Sequence, residues 1–308
     1  MNFQQLRIIR ETVRRNFNLT EVAQALATSQ SGVSKHIRDL EEELGVELFV
    51  RRGKRLLSLT DPGQQIVPFV ERMLVDAGSI RRIGVELGAA QQGELVIATT
   101  HTQARYMLPG VIAEFRRAFP QVHLVLHQAS PADVAQMLLD GRADIGIATE
   151  ALSGEPDLAA FAYHSWRHAV IVPKGHALEW NESLTLERLA GYPLITYQKG
   201  FTGRPAIDRA FAAEGLAPDI VLEAIDADVI KAYVELGLGV GIVAELAFEP
   251  ERDLALTMRP EHFFEESTTF IAVRRGRFLR GFAYRFIEAC RPSLSEALIR
   301  REAGDLSG

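Results

Sequence analysis

Apolar residues first recur at helical intervals as Leu19, Val22, Ala23 and Leu26, and after a Thr28-Ser29-Gln30 turn the pattern restarts as Val33, Ile37, Leu40 and Leu44. Two short amphipathic helices with their apolar stripes facing one small core are therefore predicted. Thr20 and Ser31 are the expected N-caps, since their hydroxyls can accept from the free N–H groups of a first turn. After Gly45 the sequence VELFVRRGKRLLSLT sets two short apolar runs on either side of Gly53, the pattern of a tight β-hairpin.

A Thr60-Asp61-Pro62-Gly63 start signal precedes a long helical repeat. Ile66, Val70, Met73, Ala77, Ile80 and Leu87 follow at alternating steps of four and three, with Gly84 filling one slot. That is a coiled-coil seam, and it predicts dimerisation. Val67, Phe69, Leu74 and Ile83 broaden the stripe, as packing on the helix's own domain would, and Pro68 predicts a bend or a late start.

Beyond Gly88-Ala89-Ala90-Gln91-Gln92-Gly93 the periodicity changes to alternating strands and helices of α/β type. Strands are predicted at 94–98, 123–127, 145–148, 169–172, 194–197, 220–223, 241–243 and 269–273. Helices are predicted at 110–118, 131–140, 205–214, 228–236 and 278–290. The organisation expected is a head over 1–60, a linker and dimerisation helix over 61–90, and a two-part domain over 91–308. Its first part covers about 91–163 and 269–292, and its second about 164–268.

The first two helices have the spacing of a helix-turn-helix. In that motif the N-terminal part of the second helix enters the major groove, where Gln and Ser read base edges and Lys or Arg meets guanine or phosphate. Gln30, Ser31, Ser34, Lys35 and Arg38 occupy those positions. Arg51, Arg52, Lys54 and Arg55 surround the hairpin turn, where a wing would neutralise phosphates without reading sequence. A plain helical hairpin with a solvated face shares the periodicity; the adjoining basic hairpin favours DNA.

Charge supports this division. Residues 1–60 carry ten Lys/Arg against seven Asp/Glu, a balance of +3, whereas the 308-residue chain is −6, which leaves −9 for the remainder. A mildly basic head on an acidic body suits a chain that meets nucleic acid only through its head. Cys290 is alone, so no intrachain disulfide can form, and there is no 18-residue apolar run. A cytoplasmic protein without a membrane partner is expected. Cys290 falls on the stripe of Phe282, Phe286 and Ile287, which predicts packing rather than redox sensing.

Nearly the whole chain resembles a LysR-type transcriptional regulator, and its second half resembles the CysB-like branch. The family pattern is carried by Leu19-Thr20, Ser29-Gln30-Ser31, Leu40 to Gly45, Leu48-Phe49 and Gly237-Leu238-Gly239-Val240-Gly241. The branch pattern is carried by Thr99 to Tyr106, Ala143 to Ala148, Pro193 to Tyr197 with Gly200 to Arg204, and Asp228 to Lys231. The resemblance implies a winged helix-turn-helix, a linker helix and a two-subdomain effector domain like periplasmic binding proteins. It also implies a homodimer or homotetramer that activates sulfate-assimilation and cysteine-synthesis genes with RNA polymerase, in response to a sulfur metabolite. A sibling regulator of sulfonate use is the alternative within the branch.

The residue chemistry agrees. Thr100, Thr102 and Gln103 follow a strand and precede a helical stretch, where hydroxyls, an amide and backbone N–H groups favour negative charge. Thr149 ends another strand and Thr202 precedes a helix, so three strand-end loops can meet in one crevice. The resemblance implies that these five residues line an effector pocket with Trp166 as an aromatic wall. The expected ligand is a small anionic or acetylated effector such as sulfate, O-acetylserine or N-acetylserine. Any one of these threonines, taken alone, reads as a residue satisfying its own backbone.

Other motifs carry less. The Gly237 to Gly241 run lies between a helix and a strand, so a turn or packing role is expected rather than phosphate binding. His164 and His168 have helical metal-ligand spacing, but they approach a strand and have no Cys or acidic companion, so no metal is expected. His123 and His127 read as the polar face of a strand. An α/β enzyme is the rival class, yet there is no Gly-x-Ser-x-Gly elbow, P-loop or zinc signature, and no cofactor is expected. A solute-binding module is the other rival, but this N-terminus begins with a DNA-binding pattern.

Overall fold

The computed structural model describes residues 1–53, 55–86, 92–149, 151–179, 183–201 and 203–304. They form two compact units, Met1–Val85 and Glu86–Gly308.

The first unit opens with α1 (Phe3–Arg14), α2 (Leu19–Ala25) and α3 (Gln30–Leu44). Asn2 and Gln5 exchange side chain to backbone hydrogen bonds as a capping box at the start of α1. The caps of the next two helices lie earlier than predicted. Asn18 Oδ1 accepts from the N–H groups of Thr20 and Glu21, and Ser29 Oγ accepts from Gly32 N–H. Ala27 at φ 49° turns the chain between α2 and α3, and Gly45 at φ 71° ends α3 in the left-handed conformation that glycine adopts without a Cβ clash. Val22, Val33, Ile37 and Leu40 face the core with Leu6, Ile9, Leu48 and Phe49, as their spacing predicts.

A hairpin follows, β1 (Phe49–Arg52) antiparallel to β2 (Arg55–Leu59), with Gly53 at φ 64° in its turn. Thr60 then caps α4 (Asp61–Glu86), its hydroxyl accepting from Gly63 N–H. A Cβ on Gly63 would stand 2.2 Å from the Leu48 carbonyl oxygen, so only glycine permits this close start. The helix neither starts late nor breaks at Pro68, which lies inside it with its ring exposed. Val70, Ile66, Val67 and Leu74 pack on the core of the head. Phe69, Met73 and Ile80 stay exposed, at 64%, 39% and 71%. Leu87, the last residue of the predicted seam, lies outside the described residues.

The second unit holds two five-stranded mixed sheets. The first has the order β4-β3-β5-β12-β6, built from β3 (Gly93–Thr99), β4 (Val122–Gln128), β5 (Ile145–Ala148), β6 (Leu158–Trp166) and β12 (Ser267–Arg274). The second has the order β11-β7-β10-β8-β9, built from β7 (His168–Pro173), β8 (Leu194–Tyr197), β9 (Ile220–Ala224), β10 (Val240–Ala244) and β11 (Leu256–Met258). The chain passes from the first sheet to the second at Arg167 and returns between β11 and β12. β6 and β11 have no counterpart among the predicted strands.

Between β3 and β4 a π-helical turn (Gln103–Met107) leads into α5 (Leu108–Ala118), and α6 (Pro131–Leu139) joins β4 to β5. The second sheet carries α7 (Leu186–Ala190), α8 (Arg204–Ala213) and α9 (Ala227–Glu235). The C-terminal α10 (Gly281–Cys290) and α11 (Glu296–Ala303) return to the first sheet. That sheet is covered on both faces by separate apolar clusters, as its continuous Ile/Val/Leu strands require. Cys290 joins one of them, and burial pushes its thiol up to about 12, which suits packing and not a reactive thiolate.

Candidate DNA-reading face and effector pocket

On α3 the apolar stripe is buried, which turns Gln30, Ser31, Lys35 and Arg38 outward with Ser34 half-buried between them. Arg38 Nε donates to the Ser34 carbonyl at 3.3 Å, and the Ser31 and Ser29 hydroxyls lie 3.1 Å apart. Beside the start of this helix, a cavity of about 530 Å³ is lined by Gln30, Asn18 and Thr20 from the motif, by Arg14 and Arg15, and by Arg55 from the hairpin. Three arginines thus border one hollow together with the Glu21 carboxylate.

The hairpin arginines differ from one another. Arg52 and Arg55 are exposed, while Arg51 is ion-paired with Glu41 of α3. Glu41 is buried, and its other oxygen accepts from the N–H groups of Leu48 at 2.8 Å and Phe49 at 3.3 Å. This carboxylate therefore fastens the hairpin to α3, and sequence alone gave no sign of it. Lys54 lies outside the described residues.

In the second unit, Thr100 follows β3 and Thr149 follows β5, and these strands are neighbours in parallel register. Thr100, Thr102, Gln103 and Thr149 are all nearly inaccessible, at 2%, 0%, 1% and 3%. Four polar side chains, none of them cationic, thus lie buried at the carboxyl ends of adjacent strands. Gln103 Oε1 has no hydrogen-bond partner among the described residues, and Thr102 Oγ1 has the Tyr197 hydroxyl beside it. Buried polar atoms without partners cost stability and are rare in cores, which marks this spot as unlike ordinary packing. Trp166 ends β6 beside them, its indole N–H donating to Thr269 Oγ1 at 3.0 Å. Gln103 meets the same hydroxyl at 3.1 Å. Thr202 lies outside the described residues; Gly203 packs against His168 of β7. A Cβ on Gly203, which sits at φ 68°, would stand 2.6 Å from His168 Cε1.

Three contributors went unnoticed in the sequence. Tyr197 ends β8 in the second sheet, fully buried beside Thr102, and its hydroxyl accepts from Ala244 N–H at 3.0 Å. Burial pushes its pKa up to about 12, so it stays a neutral phenol. Thr269 lies on the returning strand β12. The third is a latch. Tyr106, on the π-helical turn of the first sheet, donates to Asp228 of α9 on the second, and Arg105 reaches Asp228 at 3.5 Å and Glu249 at 3.4 Å. Burial pushes the Asp228 carboxyl up, but the Tyr106 hydrogen bond with Lys231 and Arg105 outweighs it and holds the pKa below its ordinary value. The Tyr106 and Asp228 motifs are both visible in the sequence; their partnership is not.

His164 and His168 stand on β6 and β7 of different sheets and so lack the helical metal-ligand geometry that their spacing suggested. The Gly237 to Gly241 run forms a turn and a close packing site. Gly237 has φ 75°, and a Cβ on Gly239 would stand 2.6 Å from the Pro193 carbonyl oxygen.

Residues 3–64 match the lysR-family bacterial regulatory helix-turn-helix model, and residues 88–295 match the LysR substrate binding domain. The chain belongs to the LysR family of transcriptional regulators. It is 58% identical over 300 residues to the HTH-type transcriptional regulator SsuR of Burkholderia cenocepacia, with 97% of each chain covered. It is 53% identical over 302 residues to CysB of the same organism, covering 98% of this chain and 96% of that one. The crystal structure of the cofactor-binding domain of the Cbl regulator matches at 48% identity with a TM-score of 0.66, over 69% of this chain and 93% of that one. These are regulators and not enzymes, and the α/β architecture of the second unit is that of a LysR effector domain. Among the described residues no helix is long and apolar enough to cross a membrane.

Proposed function

We propose that this regulator controls genes of sulfur assimilation, binding promoter DNA through Gln30, Ser31, Ser34, Lys35 and Arg38 on α3 and through the basic hairpin. A small sulfur-pathway effector binds at Thr100, Thr102, Gln103, Thr149, Trp166 and Thr202. The observation that carries the reading is the buried, cation-free set of hydroxyl and amide groups with an unpartnered Gln103 oxygen. Such groups serve a ligand bearing an oxyanion or an acetyl group. Closure around it fixes one arrangement of the two sheets and, through oligomerisation as a homodimer or homotetramer, sets which half-sites the paired heads reach and how they meet RNA polymerase. By linkage, DNA then alters effector affinity by the same factor.

A second reading within the same branch makes the regulated genes those of sulfonate use. The higher identity to SsuR than to CysB supports it.

A thermal-unfolding panel with sulfate, O-acetylserine, N-acetylserine and a simple alkanesulfonate tests both. A ligand at a hundred times its Kd adds about 2.7 kcal/mol of stability. Stabilisation by one of these, lost in Thr102→Ala, is expected; a panel without any shift would sink the sulfur reading.

A further inference from the structure

We propose that Thr269 dictates which end of the Gln103 carboxamide faces the effector, turning its NH2 group toward the ligand. The inference rests on the pocket reading above and adds to it a residue outside the pocket's lining.

Thr269 is fully buried on β12, a strand that returns from the second sheet to the first. Its oxygen lies 3.0 Å from Trp166 Nε1 and 3.1 Å from the Gln103 amide nitrogen. An indole N–H can only donate, so Thr269 must accept from Trp166 and has its own proton left to give. If the Gln103 nitrogen also points at Thr269, that hydroxyl proton has no acceptor among the described residues. Gln103 Oε1 is then unpartnered as well. Two buried groups are left unsatisfied side by side, each at a cost of the order of a lost hydrogen bond.

Reversing the carboxamide about its terminal torsion exchanges oxygen and nitrogen without moving anything else, and the surrounding hydrogen bonds decide between the two orientations. The reversed form satisfies both groups and leaves the two NH2 protons for an acceptor that the effector supplies. Trp166 donates to Thr269, Thr269 donates to the Gln103 carbonyl, and the NH2 takes the place where the unpartnered oxygen stood. The indole thus polarises a three-residue relay that ends in a donor aimed at the effector. A ligand oxygen without a proton is favoured at that point, and a ligand N–H or O–H is disfavoured.

Thr269 is a positioning residue, so its test needs a readout that a merely structural role would not move. Full-length wild type, Thr269→Ser and Thr269→Val are titrated calorimetrically with inorganic sulfate, with thermal unfolding recorded for each without ligand. Thr269→Ser keeps the relay and should bind within about twofold of wild type. Thr269→Val keeps the volume but removes the relay and should weaken sulfate by about tenfold or more. In wild type, selective 15N labelling of glutamine side chains should show one carboxamide pair, missing from Gln103→Leu, that moves when sulfate is added. That measurement decides the matter if Thr269→Val fails to fold. Equal affinity of wild type and Thr269→Val, or an unmoved carboxamide pair, would overturn the relay while leaving the oxyanion reading intact. Failure of wild type to bind sulfate at all would overturn the oxyanion reading and the relay with it.

Discussion

Tyr106 donates a 2.6 Å hydrogen bond to Asp228, joining the π-helical turn that follows β3 to a helix of the opposite sheet. A hydrogen bond to a charged acceptor is among the stronger kinds, contributing about 1.5–3 kcal/mol, and here it ties the two sheets together. Tyr106→Phe should therefore loosen closure and reduce effector affinity roughly tenfold without touching the ligand. Calorimetry with the effector, beside thermal unfolding of the unliganded protein, measures both parts.

The same latch sets a pH window. Asp228 is held below its ordinary value of 3.8, so its contribution is present above that value and fades as pH falls through the lower folded pKa. Tyr106 is raised above its ordinary 10.0, by burial and then by Asp228, so its contribution is complete below pH 10 and declines as pH rises beyond it. The latch should be insensitive to pH between about 5 and 9. Wild type and Tyr106→Phe should then differ in stability by a constant amount across that range and converge outside it, as denaturant midpoints at each pH would show.

Thr102→Ala should separate stability from binding. Its hydroxyl is buried with the Tyr197 hydroxyl as its polar neighbour, so its removal should change stability by no more than about 1 kcal/mol. Effector affinity should fall by tenfold or more. Thermal unfolding with and without ligand checks the two together; a large loss of stability without ligand would mean that the hydroxyl is structural.

Arg38→Ala and Arg51→Ala should fail in different ways. Arg38 is exposed on the reading face, so its loss should weaken operator binding and lower the slope of log K against log salt by about one if it meets a phosphate, with stability unaffected. Arg51 is tied to the buried carboxylate of Glu41, so its loss should destabilise the head by about 1–3 kcal/mol. Salt-titrated DNA binding and chemical unfolding of the two variants distinguish them.

Ile80→Glu on the exposed half of α4 should shift the oligomer toward smaller species while sparing the head, because Ile80 is 71% exposed. Val70→Glu on the same helix should instead unfold the head, since Val70 is buried in its core. Sedimentation velocity and far-ultraviolet circular dichroism separate these outcomes.

Local periodicity made most elements legible. The two stripes of the helix-turn-helix are the buried faces of α2 and α3 apart from Leu44, which lies exposed at the end of α3, and the predicted α/β strands appear close to their expected positions. What periodicity could not show depends on distant partners. β6 begins Leu158-Ala159-Ala160-Phe161-Ala162, a helix-prone run that becomes extended because it pairs along its whole length with β12, about a hundred residues later. The caps moved to Asn18 and Ser29 because several hydroxyl and amide side chains compete at each helix start and backbone direction selects one. Among the candidate site residues, Thr100, Thr102, Gln103 and Thr149 could be proposed from strand-end position and resemblance. Tyr197 and Thr269 could not, since each arrives on a strand whose neighbours only the topology specifies.

The absence of a cation among the buried groups at Thr100, Thr102, Gln103 and Thr149 sets that candidate site apart from the basic head. The head's arginines act over a Debye length, about 8 Å at physiological ionic strength, and added salt weakens them steeply. Neutral dipoles act only on contact and are little affected by salt. A cell whose ionic strength rises would loosen the grip on DNA while the sensor's reading of its metabolite stayed constant. Nucleic acid, for its part, would find nothing in the crevice to draw it there.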